Sequence, residues 1–127
     1  RKVPSVNISF GELLDRFSIL SIKLDELGGS AQEAVIKKEL QAIGGQTDDL
    51  LSQPEISAEY QLLLLANRAM WDAMQSVYDS GPDVAKEKPE LLLTIINQNM
   101  DRAFHKRAID LLCNSDIREA KSFFSEA

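Results

Sequence analysis

The residues of this chain that could do chemistry are polar side chains interrupting apolar helical stripes. Asn99, Arg102 and Lys106 recur at spacings of three and four and share one helix face. Leu92, Ile95, Ile109 and Cys113 continue that face at both ends. A guanidinium grips a carboxylate or phosphate through two parallel bonds, and an ammonium adds a point charge. A basic patch framed by apolar residues therefore serves one of two purposes. It holds an anionic ligand, or it neutralises Glu12, Asp15 or Glu119 in an interhelical network, and the two look alike in sequence.

The acids form a second group. At about 100° per residue, Glu12, Ile19 and Lys23 fall within roughly 40° of one another, with Asp15 slightly to one side. Two carboxylates and an ammonium thus flank the stripe of Leu13, Phe17, Leu20, Leu24 and Leu27. Such a pair suits general acid–base work. The structural reading assigns Glu12 to a helix cap and leaves Asp15 and Lys23, two turns apart, to pair with other helices. A third group is Asn67, on the line Leu63–Asn67–Met70–Met74, with Trp71 one turn beyond. A buried Asn fixes register between helices at a cost in stability. Trp71 serves as a core anchor or as the stacking wall of a pocket.

The remaining reactive residues are few. His105 adjoins Lys106 and Arg107 off the basic stripe and reads as exposed, with no partner visible in sequence. Cys113 lies among Leu111, Leu112 and Ile117 and reads as a small core residue. One Cys and one His make neither an intramolecular disulfide nor a zinc site. Two acids without further ligands are a poor metal site, and no cofactor is expected. No nucleophile elbow, Walker loop, dinucleotide fingerprint or paired-histidine zinc motif occurs.

Helices must position these groups. Val6, Ile8 and Phe10 alternate with polar residues, so Val3–Ser9 reads as an extended arm, supported by Pro4. Ser9-Phe10-Gly11-Glu12 has the spacing of a capping box. It opens a helix from about Phe10 to Leu27, which Gly28-Gly29 stops. Ser30 is placed to cap a second helix, roughly Ala31–Ile43, that Gly44-Gly45 ends. Asp48–Gln53 makes a turn or two before Pro54. A third helix runs from its cap Ser57 to Asp79, where Ser80-Gly81-Pro82-Asp83 breaks it, and Val84–Lys88 is a loop or turn. Pro89 opens a fourth helix to about Cys113. Ser115 caps a short last helix, Asp116 to about Phe124. The expected fold is all-α: an antiparallel bundle of four main helices, a short C-terminal helix and the N-terminal arm, in one domain over residues 1–127.

Composition narrows the partners. The chain has 127 residues and a formal net charge of −6. That balance argues against general affinity for nucleic acid, which needs a basic face, and against an anionic membrane surface. The longest apolar run, Leu62–Ala66, is far short of the roughly 20 residues a membrane helix needs. Arg1–Ser5 leads into no signal-peptide core, so a cytoplasmic location is expected.

Four stretches carry a resemblance. Ser9-Phe10-Gly11-Glu12-Leu13-Leu14-Asp15-Arg16 leads into Ile19-Leu20-Ser21-Ile22-Lys23-Leu24. Asn67 with Met70-Trp71 follows, then Asn99-x-x-Arg102-Ala103-x-x-Lys106-Arg107, then Ser115-x-Ile117-x-Glu119-x-Lys121-Ser122. From about Ser9 to Phe123 the chain resembles a family of small bacterial all-helical proteins known as a domain of unknown function. The resemblance implies a compact helical fold in a bacterial cytoplasm and brings no activity with it. Gly44–Ile56 is the most individual segment.

Two functional readings follow. In the first, the chain is a non-enzymatic helical binding or assembly module, with homodimerisation among its options. Glu12, Asp15, Lys23, Asn67, Arg102 and Lys106 then form a buried polar network. In the second, it binds or acts on an anionic metabolite such as a phosphorylated or nucleotide sugar. Arg102 and Lys106 hold the anion, Asn67 and Asn99 orient it, Trp71 stacks, and Glu12 or Asp15 is the acid or base.

Overall fold

Phe10–Leu27 forms α1, with Ser9 at its N-cap accepting the Glu12 amide at 3.1 Å. The structure, a computed structural model, describes residues 4–114. The helix expected at Asp116–Phe124, its cap Ser115 and Glu119 lie outside the described residues. Residues 4–9 precede α1 without regular secondary structure, and Ile8 packs against the core. Glycine ends α1 as the sequence implies: Gly28 is the C-cap and Gly29 takes a φ of 85°.

The second helix departs from expectation. α2 spans Glu33–Leu51 and passes through Gly44-Gly45 without a break. Of the segment Asp48–Gln53, expected as a turn or two after the glycines, Asp48–Leu51 is the last turn of α2. Ile36, Leu40, Ile43, Thr47 and Leu50 explain this, since their spacing of four, three, four, three carries one face across the glycine pair. Ile36, Thr47 and Leu50 are buried, and the Thr47 hydroxyl donates to the Gly44 carbonyl at 3.0 Å. Burial of that face outweighs the roughly 1 kcal/mol that each helical glycine costs. Ser30 caps only the turn before the helix, accepting the Gln32 amide at 3.2 Å.

α3 spans Pro54–Ser80, three residues earlier than the expected Ser57 start. Proline occupies the first turn, where its missing N–H is no loss, and Ser57 lies inside the helix, donating its amide to Gln53 O at 2.9 Å. Gly81, with φ of 83°, ends it. The single turn α4, Val84–Glu87, leads into α5, Pro89–Leu112. α3 and α5 thus form a long antiparallel hairpin, and α1 and α2 pack across it.

Every regular element among the described residues is a helix. The core joins Leu13 and Leu14 of α1, Leu50 of α2, Ile56, Tyr60 and Leu63 of α3, and Ile109 of α5. Phe17 and Tyr60 rings pack 5.8 Å apart within this region. Burial pushes the Tyr60 hydroxyl pKa up, partly opposed by a hydrogen bond with Ser21. The core occupies the half of the α3–α5 hairpin that α1 and α2 cover. No helix among the described residues is long and apolar enough to cross a membrane.

Candidate functional site

Five of the residues singled out in sequence, Glu12, Asp15, Asn67, Arg102 and Lys106, come together where the N-terminal half of α1 crosses α5 and the middle of α3. Asp15 is the centre, with only 1% of its surface exposed. Arg102 of α5 holds it with a two-bonded fork, Nε to Oδ1 at 2.8 Å and Nη2 to Oδ2 at 2.5 Å. Asn67 of α3 donates to the same Oδ1 at 2.9 Å and, with its other hydrogen, to the Ser18 hydroxyl at 2.7 Å. Ser18 returns the chain to α1 by donating to the Asp15 carbonyl at 2.7 Å. Three helices are therefore tied at one carboxylate.

A second ion pair lies one turn toward the start of α1. Lys106 of α5, itself buried, donates to Glu12 Oε2 at 2.6 Å and stands 3.8 Å from Asp15 Oδ2. Glu12 also meets Arg16 Nε at 3.4 Å. This corrects the capping-box expectation. Ser9 makes its half of the box, but the Glu12 carboxylate turns to Lys106 and Arg16 instead of reaching back to Ser9. A buried ammonium is the stronger partner, because the charge-assisted bond offsets desolvation that a backbone amide would not.

Gly11 makes this crossing close. Its amide donates to Asp110 Oδ1 at 2.7 Å, a carboxylate from α5 placed at the positive end of α1. A Cβ at Gly11 would stand 2.2 Å from the Lys106 carbonyl oxygen and 2.9 Å from Asp110 Oδ1. Only glycine lets the two backbones approach this far. Ser18, Asp110 and the Gly11 requirement were not singled out in sequence. Ser18 carried a signal as a polar residue on the face that also holds Leu14, and Asp110 as one on the face that holds Ala103 and Lys106. Gly11 carried none, because only the position of a second helix gives it meaning.

Three of the candidate residues stand apart. Asn99 shares the α5 stripe with Arg102 and Lys106 but is exposed. The crossing angle is the reason. Gly11, Glu12 and Asp15 engage α5, whereas Ser18 and Glu26 engage Asn67 and Arg68 of α3, so α1 leaves α5 before reaching Asn99. Lys23 is two turns beyond Asp15 and outside the network. It lines a groove of about 330 Å³ between α1 and α2 with Arg16, Glu39, Ile19 and Ile43. Trp71 is half-buried one turn beyond Asn67 and is not among the groups bonded at Asp15.

His105 also differs from expectation. It is half-buried, with Nδ1 at 2.7 Å from Glu59 Oε2 of α3, and its ring meets Phe104 edge-on at 5.4 Å. Cys113 packs against the core, as the sequence implied, and burial together with the nearby Asp110 charge raises its thiol pKa. A raised thiol holds less thiolate, the opposite of an activated nucleophile. Among the described residues, no three His, Cys, Asp or Glu side chains converge to hold a metal.

Chemically, the arrangement pairs the carboxylates of Glu12 and Asp15 with the cations of Arg102 and Lys106 inside the protein, with the buried Asp110 carboxylate beside them on the Gly11 amide. No family model matches the chain, and no curated protein or solved structure matches it either.

Proposed function

We propose that this chain is a non-enzymatic helical binding or assembly module, and that the Glu12–Asp15–Asn67–Arg102–Lys106 set is its internal brace. The observation that carries the reading is the Arg102 fork on a carboxylate 1% exposed. A cation committed in this way inside the protein has its bidentate face turned to Asp15 and away from any incoming anion. Lys106, likewise, faces Glu12 and Asp15.

The brace has a physical purpose. Apolar side chains from α1, α3 and α5 would pack in several registers at similar cost. A fork at Asp15, a shared amide at Asn67 and a buried ammonium at Lys106 are satisfied together in one register only. Fixing that register fixes which residues of α3 and α5 face outward, and a binding module depends on the constancy of its outer faces.

A thermal-shift screen with the Arg102→Ala variant alongside tests the proposal. Internal use of the cations predicts that phosphorylated metabolites at millimolar levels leave the melting temperature unchanged, while Arg102→Ala lowers it. A compound that stabilises the wild type and not the variant would transfer the assignment to an anion site.

A further inference from the structure

Lys23 stands outside the brace and lines a groove with a chemistry of its own. The groove lies between α1 and α2 and measures about 330 Å³. From α1 it takes Arg16, Ile19, Leu20 and Lys23. These positions follow the spacing i, i+3, i+4, i+7, so all four share one face of the helix. Their order along that face is cation, two apolar side chains, cation. Arg16 and Lys23 therefore bracket an apolar floor about 10 Å long at 1.5 Å per residue. From α2, Ala42 and Ile43 extend the apolar lining and Glu39 adds an acid. Leu20 is buried, while Ile19, Lys23 and Ile43 are half-buried.

The charges of the lining do not cancel. Among the described residues, Lys23 meets no carboxylate at ion-pair distance, although Glu39 lines the same groove. Arg16 meets Glu12 at 3.4 Å, and that carboxylate already holds the Lys106 ammonium at 2.6 Å. Two cations against one acid leave the lining with a surplus positive charge, in a chain whose formal net charge is −6. A cationic slot on an acidic protein draws anions to that place against the average of the surface. A lysine stem laid along apolar surface with its head in water is common, and it accounts for Lys23 taken singly. It leaves the second cation, at the other end of the same floor, with no role beyond its long contact with Glu12.

We infer that this groove binds a small amphiphilic monoanion, a carboxylate on an apolar chain. The apolar chain lies on Ile19, Leu20 and Ile43. Lys23, half-buried at one end of the floor, takes the carboxylate, where the apolar walls strengthen the pairing relative to open water. The methylene stem of Arg16 closes the other end over the tail of the ligand, and its guanidinium adds to the positive field. A volume of about 330 Å³ is at the small end of ligand sites, which run from roughly 300 to 1,000 Å³, so the occupant is a medium-length chain and not a nucleotide or a peptide. The site lies two turns along α1 from Asp15 and uses neither Arg102 nor Lys106, so it stands without the brace.

A titration with octanoate, followed through the isoleucine methyl resonances by NMR, tests this. The Ile19 and Ile43 methyl groups are expected to shift saturably, with a Kd of about 1 mM. Octyltrimethylammonium carries the same chain on the opposite charge and is expected to bind at least about fivefold more weakly. Lys23→Gln is expected to weaken octanoate binding about fivefold, and Glu39→Gln to tighten it about twofold, because one removes the anchor and the other a like charge. Both positions lie outside the core, so the helical circular dichroism spectrum stays unchanged. Ala42→Leu, which places a larger side chain in the groove from an exposed position, is expected to abolish binding in a protein that is still folded. No saturable shift of either methyl group up to about 10 mM octanoate overturns the inference. So does equal affinity for the anionic and cationic chains, which would make the groove a plain apolar surface, or wild-type affinity in Lys23→Gln. None of these readouts involves Arg102 or Lys106, so the groove and the brace fail separately.

Discussion

Replacing Arg102 with alanine removes both bonds of the fork and leaves the buried Asp15 carboxylate without its main partner. Stranding one partner of a buried ion pair costs about 3–5 kcal/mol. Two features place this site at or below the lower end of that range. The Arg102 side chain is 28% exposed, so water enters the vacated space. Lys106 Nζ, 3.8 Å from Asp15 Oδ2, and the Asn67 amide remain to hold the charge. The expected loss is about 2–3 kcal/mol, which for a chain of this length lowers the melting temperature by roughly 8–12 °C. A double-mutant cycle separates the pair from its surroundings. Asp15→Asn with Arg102→Met should cost less than the sum of the single changes, with a coupling of about 1–3 kcal/mol, since neither is then left as a buried lone charge. Differential scanning calorimetry on the four proteins measures it. An Arg102→Ala protein that melts within about 1 °C of the wild type, or a coupling of zero, would refute the brace.

Further changes probe other parts of the same argument. Gly11→Ala should destabilise by about 2–4 kcal/mol in chemical denaturation, because its Cβ meets the Lys106 carbonyl oxygen at 2.2 Å and separates the Gly11 amide from Asp110. Gly44→Ala and Gly45→Ala should act in the opposite direction. Both glycines are mid-helix with open space around the added carbon, and each change should stabilise by about 0.5–1 kcal/mol. A loss at either position would show that α2 does not continue through the pair. Cys113 should react with a disulfide reagent at pH 8 more slowly than a free cysteine, since burial and Asp110 favour the protonated thiol. Its rate should approach that of free cysteine once the protein is unfolded in urea; equal rates in the folded protein would contradict the burial described.

How much of this was legible in the sequence depends on whether a feature is local. The start of α1 was legible because the Ser9 cap and the Gly28-Gly29 stop act within a few residues. The same rule failed at Gly44-Gly45. Glycine is a weak breaker, and the face of Ile36, Ile43, Thr47 and Leu50 found a core to bury against, which no local signal reveals. Pro54 is itself the start of α3, since proline opens a helix as readily as it ends the segment before it.

For the site, helical periodicity alone brought Glu12, Asp15, Asn67, Arg102 and Lys106 into view, because a polar residue on an apolar stripe must find a partner wherever the chain places it. Periodicity could not choose among the partners. Asn99 has the same spacing as Arg102 and Lys106, yet it is exposed, because α1 crosses α5 at an angle and departs before reaching it. Glu12 fits a capping box in sequence, yet it holds Lys106, because a buried ammonium from a residue 94 positions away outcompetes a neighbouring amide. The sequence by itself determined the helices and the residues that needed partners, since both follow from interactions within a few turns. The tertiary structure decided the pairing, the continuation of α2 and the necessity of Gly11, since each depends on the crossing of helices that are distant in sequence.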